Sequence, residues 1–178
     1  LCAYTTLSRS DETNKSEQDP LIFDAAGGDV WLLYRSQTSG RQDGSVVKCR
    51  SSGGGGRTFG KVRVLCDIPG TLVRQPIVVN GAGTWLLPVF RCVGLPGERW
   101  TGDADTAGVL TPRAPCESWT LTAVPPSIGA VHMDIVPPAA GAFVDLLRHR
   151  FSQAPPTSPP AAAVAPAASA SPPPPPRT

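Results

Sequence analysis

Short apolar runs broken by Gly, Pro and Ser set the rhythm of this chain. Residues 21–23, 30–34, 46–50 and 61–65 are rich in β-branched and aromatic side chains, and the last two alternate in part between apolar and polar positions. Short runs of this kind bounded by turn residues predict strands. The same pattern returns from Pro76 through 85–90, 107–110 and 119–123, and a third time from Val131 until it gives out near Arg150. Helical spacing of apolar residues is absent except over 143–151, where Leu146, Leu147 and His149 fit a short helix. The expected class is therefore all-β.

The runs repeat in register. Gln18-Asp19-Pro20-Leu21-Ile22-Phe23 is echoed 56 residues later by Arg74-Gln75-Pro76-Ile77-Val78-Val79, and 58 residues after that by His132-Met133-Asp134-Ile135-Val136-Pro137. Each copy leads through a Gly-marked turn to a second apolar run, Val30-Trp31-Leu32-Leu33-Tyr34, Thr84-Trp85-Leu86-Leu87-Pro88 or Ala142-Phe143-Val144. A repeat of about 40–60 residues made of short strands is the signature of a β-propeller blade. The expectation is a partial propeller of about two to three four-stranded antiparallel blades, with the strands of Leu21, Ile77 and Ile135 equivalent and innermost. With 178 residues and a start at Leu1, the chain reads as a fragment of such an array over 1–150. Residues 151–178 are Pro, Ala and Ser with little else, offer nothing to bury, and are expected to be a disordered tail.

Composition narrows the chemistry. A net charge of +2 gives no argument for nucleic acid. No apolar stretch approaches the ~20 residues of a membrane span, so the visible chain is expected to be soluble. The five cysteines, Cys2, Cys49, Cys66, Cys92 and Cys116, are odd in number and form no CxxC pair. They signal neither a zinc site nor a closed disulfide framework, and most are expected to act as small buried hydrophobes. No cofactor motif is present, and no cofactor or metal is expected.

One turn carries a motif. Ser52, Gly56, Thr58 and Phe59 fit S-x-D-x-G-x-T-W, the Asp-box, although Gly54 stands where the Asp belongs. A second copy, 111–119, keeps only Ser118-Trp119. Beyond the box, Gly70-Thr71-Leu72-Val73-Arg74-Gln75-Pro76, Gly97-Glu98-Arg99-Trp100 and Val131-His132-Met133-Asp134-Ile135-Val136 follow in the order seen in the BNR/Asp-box repeat, sialidase-like propeller family. The chain resembles that family over roughly 15–140, departing at Ala104, where His is common, and at Asp134, where Asn is common. The resemblance implies a propeller of about six blades. For true sialidases it also implies retaining hydrolysis of an acidic glycan, with arginines that clamp a carboxylate and a Tyr nucleophile.

Four residues are the candidates for such a site. Arg74 matches the arginine of an Arg-x-Pro strand start, where a planar fork suits a sugar carboxylate. Gln18 and His132 share its repeat position, which makes Gln18 a second substrate-binding candidate and His132 a catalytic one. Asp105, in the Gly-rich connection 92–107, is a candidate acid/base and also the expected partner of Arg74 without ligand. Neither Tyr34, inside an apolar run, nor Tyr4 is a persuasive nucleophile, so the fragment alone is expected to be inactive. Two other readings fit the same residues. One is a propeller that only binds carbohydrate or scaffolds; the other is a polysaccharide lyase in which Arg74 neutralises a uronate and His132 moves a proton.

Overall fold

The computed structural model describes residues 12–25, 27–38, 40–113, 118–136 and 144–149. Three antiparallel sheets follow one another along the chain. The first has the order β1-β2-β3-β4, from β1 (Lys15–Asp24), β2 (Val30–Thr38), β3 (Val46–Ser52) and β4 (Arg63–Cys66). The second runs β5-β7-β8-β9, from β5 (Thr71–Val73), β7 (Trp85–Arg91), β8 (Thr106–Pro112) and β9 (Trp119–Ala123), with β6 (Val78–Val79) also on β7. The third pairs β10 (Ala130–Val136) with β11 (Val144–His149). Among the described residues there is no α-helix, only a 3-10 turn at Gln42–Gly44. Consecutive sheets stack face to face, β2 and β3 against β5, then β7 and β8 against β10. This is an all-β, partial propeller that does not close.

Most of the expected strands are present, with two corrections. The stretch read as a short helix is the strand β11, because its backbone pairs with β10 from Val144–Val136 to His149–Ala130. Phe143 and Phe151, which suggested the helix, lie outside the described residues, as does the 151–178 tail. The inner strand of the second sheet starts at Thr71 rather than Pro76 and is split into β5 and β6. Pro76 has no N–H to donate and restricts Gln75 before it, so the ladder breaks there.

Between the first two sheets lies a core of Trp31, Leu33, Val47, Cys49, Leu65, Val73, Ile77, Leu87, Val89 and Leu110. Each such aliphatic side chain contributes about 1.5–3 kcal/mol when withdrawn from water. Trp85 stands edge-on to Phe23 and Trp31, with ring centroids 4.8 and 5.6 Å apart, the arrangement that the ring quadrupoles favour. The second and third sheets enclose Ala107, Val109, Val124, Met133 and Ile135, and a smaller group of Leu72, Phe90, Cys92 and Val131. Cys49, Cys66 and Cys92 are buried as small hydrophobes; Cys2 and Cys116 lie outside the described residues. Gly70 joins the first two sheets at φ +80°, and a Cβ there would lie 2.1 Å from the Cys92 carbonyl oxygen. Only glycine fits.

The turn over residues 53–59 lies between β3 and β4. Here Ser52 Oγ accepts from the N–H groups of Gly54 (3.4 Å) and Gly56 (3.1 Å). Gly54 supplies no carboxylate, and the hydroxyl shares the turn with backbone bonds from Gly55 N–H to Gly28 O (3.1 Å) and from Gly60 N–H to Ser51 O (2.9 Å).

The repeat shows in the pairing, one residue away from the sequence register at its first copy. On β1 the ladder is regular up to Gln18, opposite Arg35, and resumes at Leu21, opposite Leu33. On β10 it is interrupted in the same way between Val131, opposite Arg148, and Asp134, opposite Leu146. In the second sheet it stops at Val73, opposite Val89. The first residues of the three interruptions are Asp19, Arg74 and His132. Asp19 and His132 share left-handed backbones, φ 54° and 56°. Asp19, and not Gln18, is therefore the counterpart of Arg74 and His132. Likewise Ile77 and Ile135 pack back on the preceding sheet, whereas Leu21 packs forward and Ile22 faces back.

Candidate functional site

Three charged groups meet where the interruption of β1 faces that of the second sheet. Arg35 comes from β2, whose alternate residues Trp31 and Leu33 already face the second sheet, so strand alternation carries Arg35 to the same interface. Its side chain is 3% exposed, and its Nε lies 2.7 Å from Asp19 Oδ2. The left-handed backbone at Asp19 brings this carboxylate between two arginines, because Arg74 Nε lies 3.6 Å from the same oxygen. Arg74 is the open member, with 40% of its side chain exposed against 22% for Asp19.

The rest of the Arg35 fork is held from within the first sheet. Nη1 donates to Gln37 Oε1 at 3.1 Å, and Nη2 donates to Gln18 Oε1. Gln37 Oε1 also accepts from Ser45 Oγ at 3.0 Å, and Gln18 Nε2 donates to Ser16 Oγ at 2.8 Å. Burial pulls Arg35 below the ordinary arginine value; the Asp19 carboxylate opposes this shift and the Arg74 charge adds to it. The Arg35 Nε–H is not aimed at Asp19 Oδ2 despite the short separation, and both atoms are shut from water without a well-formed hydrogen bond. Their attraction is thus charge on charge, without the directional hydrogen bond that makes such pairs strong.

A second polar network lies on the opposite face of the first sheet and is separate. Ser36 Oγ donates to Glu17 Oε1 at 2.9 Å, and Lys48 Nζ lies 2.9 Å from Glu12 Oε1 and 3.6 Å from Glu17 Oε1.

Of the four residues picked from sequence, Arg74 and Gln18 come together. Gln18 is bonded to Arg35 and Ser16, which makes it a support for the arginine rather than an open contact. His132 sits at the matching interruption one sheet further on, its ring 5.3 Å from that of Phe90. Asp105 is elsewhere in role and place. It is fully buried, and Oδ1 accepts from Val93 N–H at 3.0 Å and Trp100 Nε1–H at 2.9 Å, which pins the 92–107 connection. The carboxylate beside Arg74 is Asp19, not Asp105. Asp103 bonds Thr101 at the surface.

Sequence reading missed Arg35 and Asp19. The available signals were an Arg directly after the apolar run 30–34 and an Asp directly before Pro20. Neither distinguishes a buried ion pair from an ordinary strand edge and turn.

The arrangement is thus a carboxylate between two arginines, one buried and one partly open to solvent, at the interrupted inner edge of two successive sheets. The fold, an all-β partial propeller, is shared with solved structures. The chain superposes on the structure titled "Hadza microbial sialidase Hz136" with a TM-score of 0.61 at 13% identity, covering 77% of this chain and 30% of that one. It superposes on a protein of unknown function from Dyadobacter fermentans DSM 18053 with a TM-score of 0.59 at 13% identity, covering 78% and 45%. The chain thus spans less than half of each. No curated protein matches it. The BNR repeat-like domain model matches residues 3–157, and the chain belongs to that family. No helix among the described residues is long and apolar enough to cross a membrane.

Proposed function

We infer that this chain is the anion-recognising portion of a sialidase-like glycoside hydrolase acting on an acidic glycan. The observation that carries the reading is the open Arg74 backed by the buried Arg35, with Asp19 between them. A guanidinium fork matches a carboxylate bidentately, and a second cation held behind it raises the local potential without needing to touch the ligand. Arg74 is the contact, Arg35 the fixed charge behind it, and Gln18 and Gln37 keep Arg35 in place. His132, at the corresponding position of the next sheet, is the candidate group for moving a proton, and the glycosidic step needs further groups from outside this arc.

A second reading is a propeller that binds acidic carbohydrate without cleaving it. The fully buried state of Asp105 favours this, since a carboxylate engaged by Trp100 and Val93 is not presented to a leaving group. Tyr34, also buried, points the same way. The two readings are separated by measuring both binding and turnover. Calorimetry with N-acetylneuraminic acid should give an affinity that Arg74→Ala abolishes and Arg74→Lys restores only in part, with unchanged circular dichroism. A fluorogenic sialoside reports hydrolysis. Equal binding by Arg74→Ala and the parent chain would sink the site; binding with no turnover leaves the non-catalytic reading.

A further inference from the structure

We propose that Asp19 sets the charge of the anion this site accepts, selecting singly over doubly charged groups. This rests on the reading of Arg74 as the anion contact. Arg35 and Arg74 each bring one positive charge, and the Asp19 carboxylate stands 2.7 and 3.6 Å from their Nε atoms, so the array carries one net positive charge. Arg35 is shut away behind the carboxylate, with its other nitrogens bonded to Gln37 and Gln18. A ligand at Arg74 therefore meets one accessible cation flanked by a fixed anion. A sugar carboxylate is matched in charge by that array. A phosphate ester brings a second negative charge close to Asp19, which repels it in a poorly screened setting.

The backbone supports a built-in carboxylate here. Asp19 holds φ 54° within the interruption of β1, a conformation that few residues other than Gly, Asn and Asp adopt readily. Its Oδ2 is withdrawn from water yet forms no well-aimed hydrogen bond, so charge is what it supplies to the pair of arginines.

The test uses the full chain and a pair of ligands that differ at one carbon, glucuronate with a carboxylate and glucose 6-phosphate with a phosphate. Asp19→Asn keeps size and tolerates the left-handed backbone, and Asp19→Gly suits it equally while removing the side chain. The parent chain should prefer glucuronate by calorimetry. In both variants the affinity ratio of glucose 6-phosphate to glucuronate should rise by about tenfold, and Asp19→Glu should leave it near the parent value. Circular dichroism confirms that each variant is folded. If Arg74→Ala abolishes glucuronate binding but the ratio is unchanged in Asp19→Asn and Asp19→Gly, the anion site stands and the charge-selecting role of Asp19 falls. If the parent chain binds neither glucuronate nor N-acetylneuraminic acid, the anion site itself falls and this role with it.

Discussion

The two contacts between successive sheets are built on one plan and filled with opposite chemistry. At the first, Gln18 stands opposite Arg35 and the pair faces Arg74 of the next sheet. At the second, the pair one step before the break in the ladder, Leu72 opposite Phe90, faces His132 of the next sheet. The interruption in the inner strand is present each time, so the backbone repeats while the side chains do not. At the second contact Phe90 packs with Leu72, Cys92 and Val131, a closed apolar group under His132. At the first, a buried cation needs a carboxylate and two amide oxygens to be tolerable there. Burying Arg35 gains little stability compared with an apolar side chain of similar volume. At the second contact the side chains that face the next sheet from the matching strands are apolar, so packing fills the space that the ion pair occupies at the first.

Substitutions at the paired positions can break this comparison. The largest effect on stability is expected at the apolar contact: Phe90→Ala should cost about 3–5 kcal/mol by urea denaturation, while the folded fraction still binds acidic sugar. Loss of sugar binding without loss of stability would mean that the two contacts are not separate in function. Next comes Arg35→Ala, which strands Gln18 and Asp19 and should cost about 3 kcal/mol. Unlike Phe90→Ala, it should also weaken acidic-sugar affinity, because Arg74 loses the charge behind it. Arg74→Ala should fall within ~1 kcal/mol of the parent in stability, as suits an exposed partner, yet remove acidic-sugar binding. A thermal shift as large as that of Arg35→Ala would make Arg74 a structural residue.

The smallest effect sharpens the contrast between a buried and a surface ion pair. Asp43 receives a hydrogen bond from Arg41 at 3.1 Å, which holds its carboxyl below the ordinary value of 3.8. A carboxylate depressed in the folded state adds stability that is complete above the unfolded value and is lost as pH falls through the folded one. Stability curves of Asp43→Asn and the parent chain should therefore differ slightly at neutral pH and converge as pH falls below the ordinary carboxyl value of 3.8. A difference that grows toward low pH would contradict the assignment.

Much of the fold could be read from local pattern. The β-branched and aromatic runs 30–34, 46–50, 85–90 and 119–123 are strands because their side chains fit a pleated, at least half-buried surface, and that preference is local. The run 143–151 misled because two adjacent leucines carry no period of their own; pairing with β10 decided it, and pairing is a property of two segments. That Arg74 stands at a repeated position was legible from the recurring spacing, whereas its pairing with Asp19 was not. Gln18 was found for the wrong place in the register, since matching Pro20 to Pro76 sets the first copy one residue off, and only the strand pairing shows where each interruption begins.

What the sequence determined by itself is the all-β class, the blade-length repeat and one exposed arginine, all of which depend on neighbours within a few residues. Only the tertiary structure decided that Arg35 is a core residue, that Asp19 is its counter-charge and that Asp105 belongs to the loop's own framework. Burial and ion pairing join positions such as 19, 35 and 74 across two sheets, and a charged residue reads alike in sequence whether it ends in water or between blades.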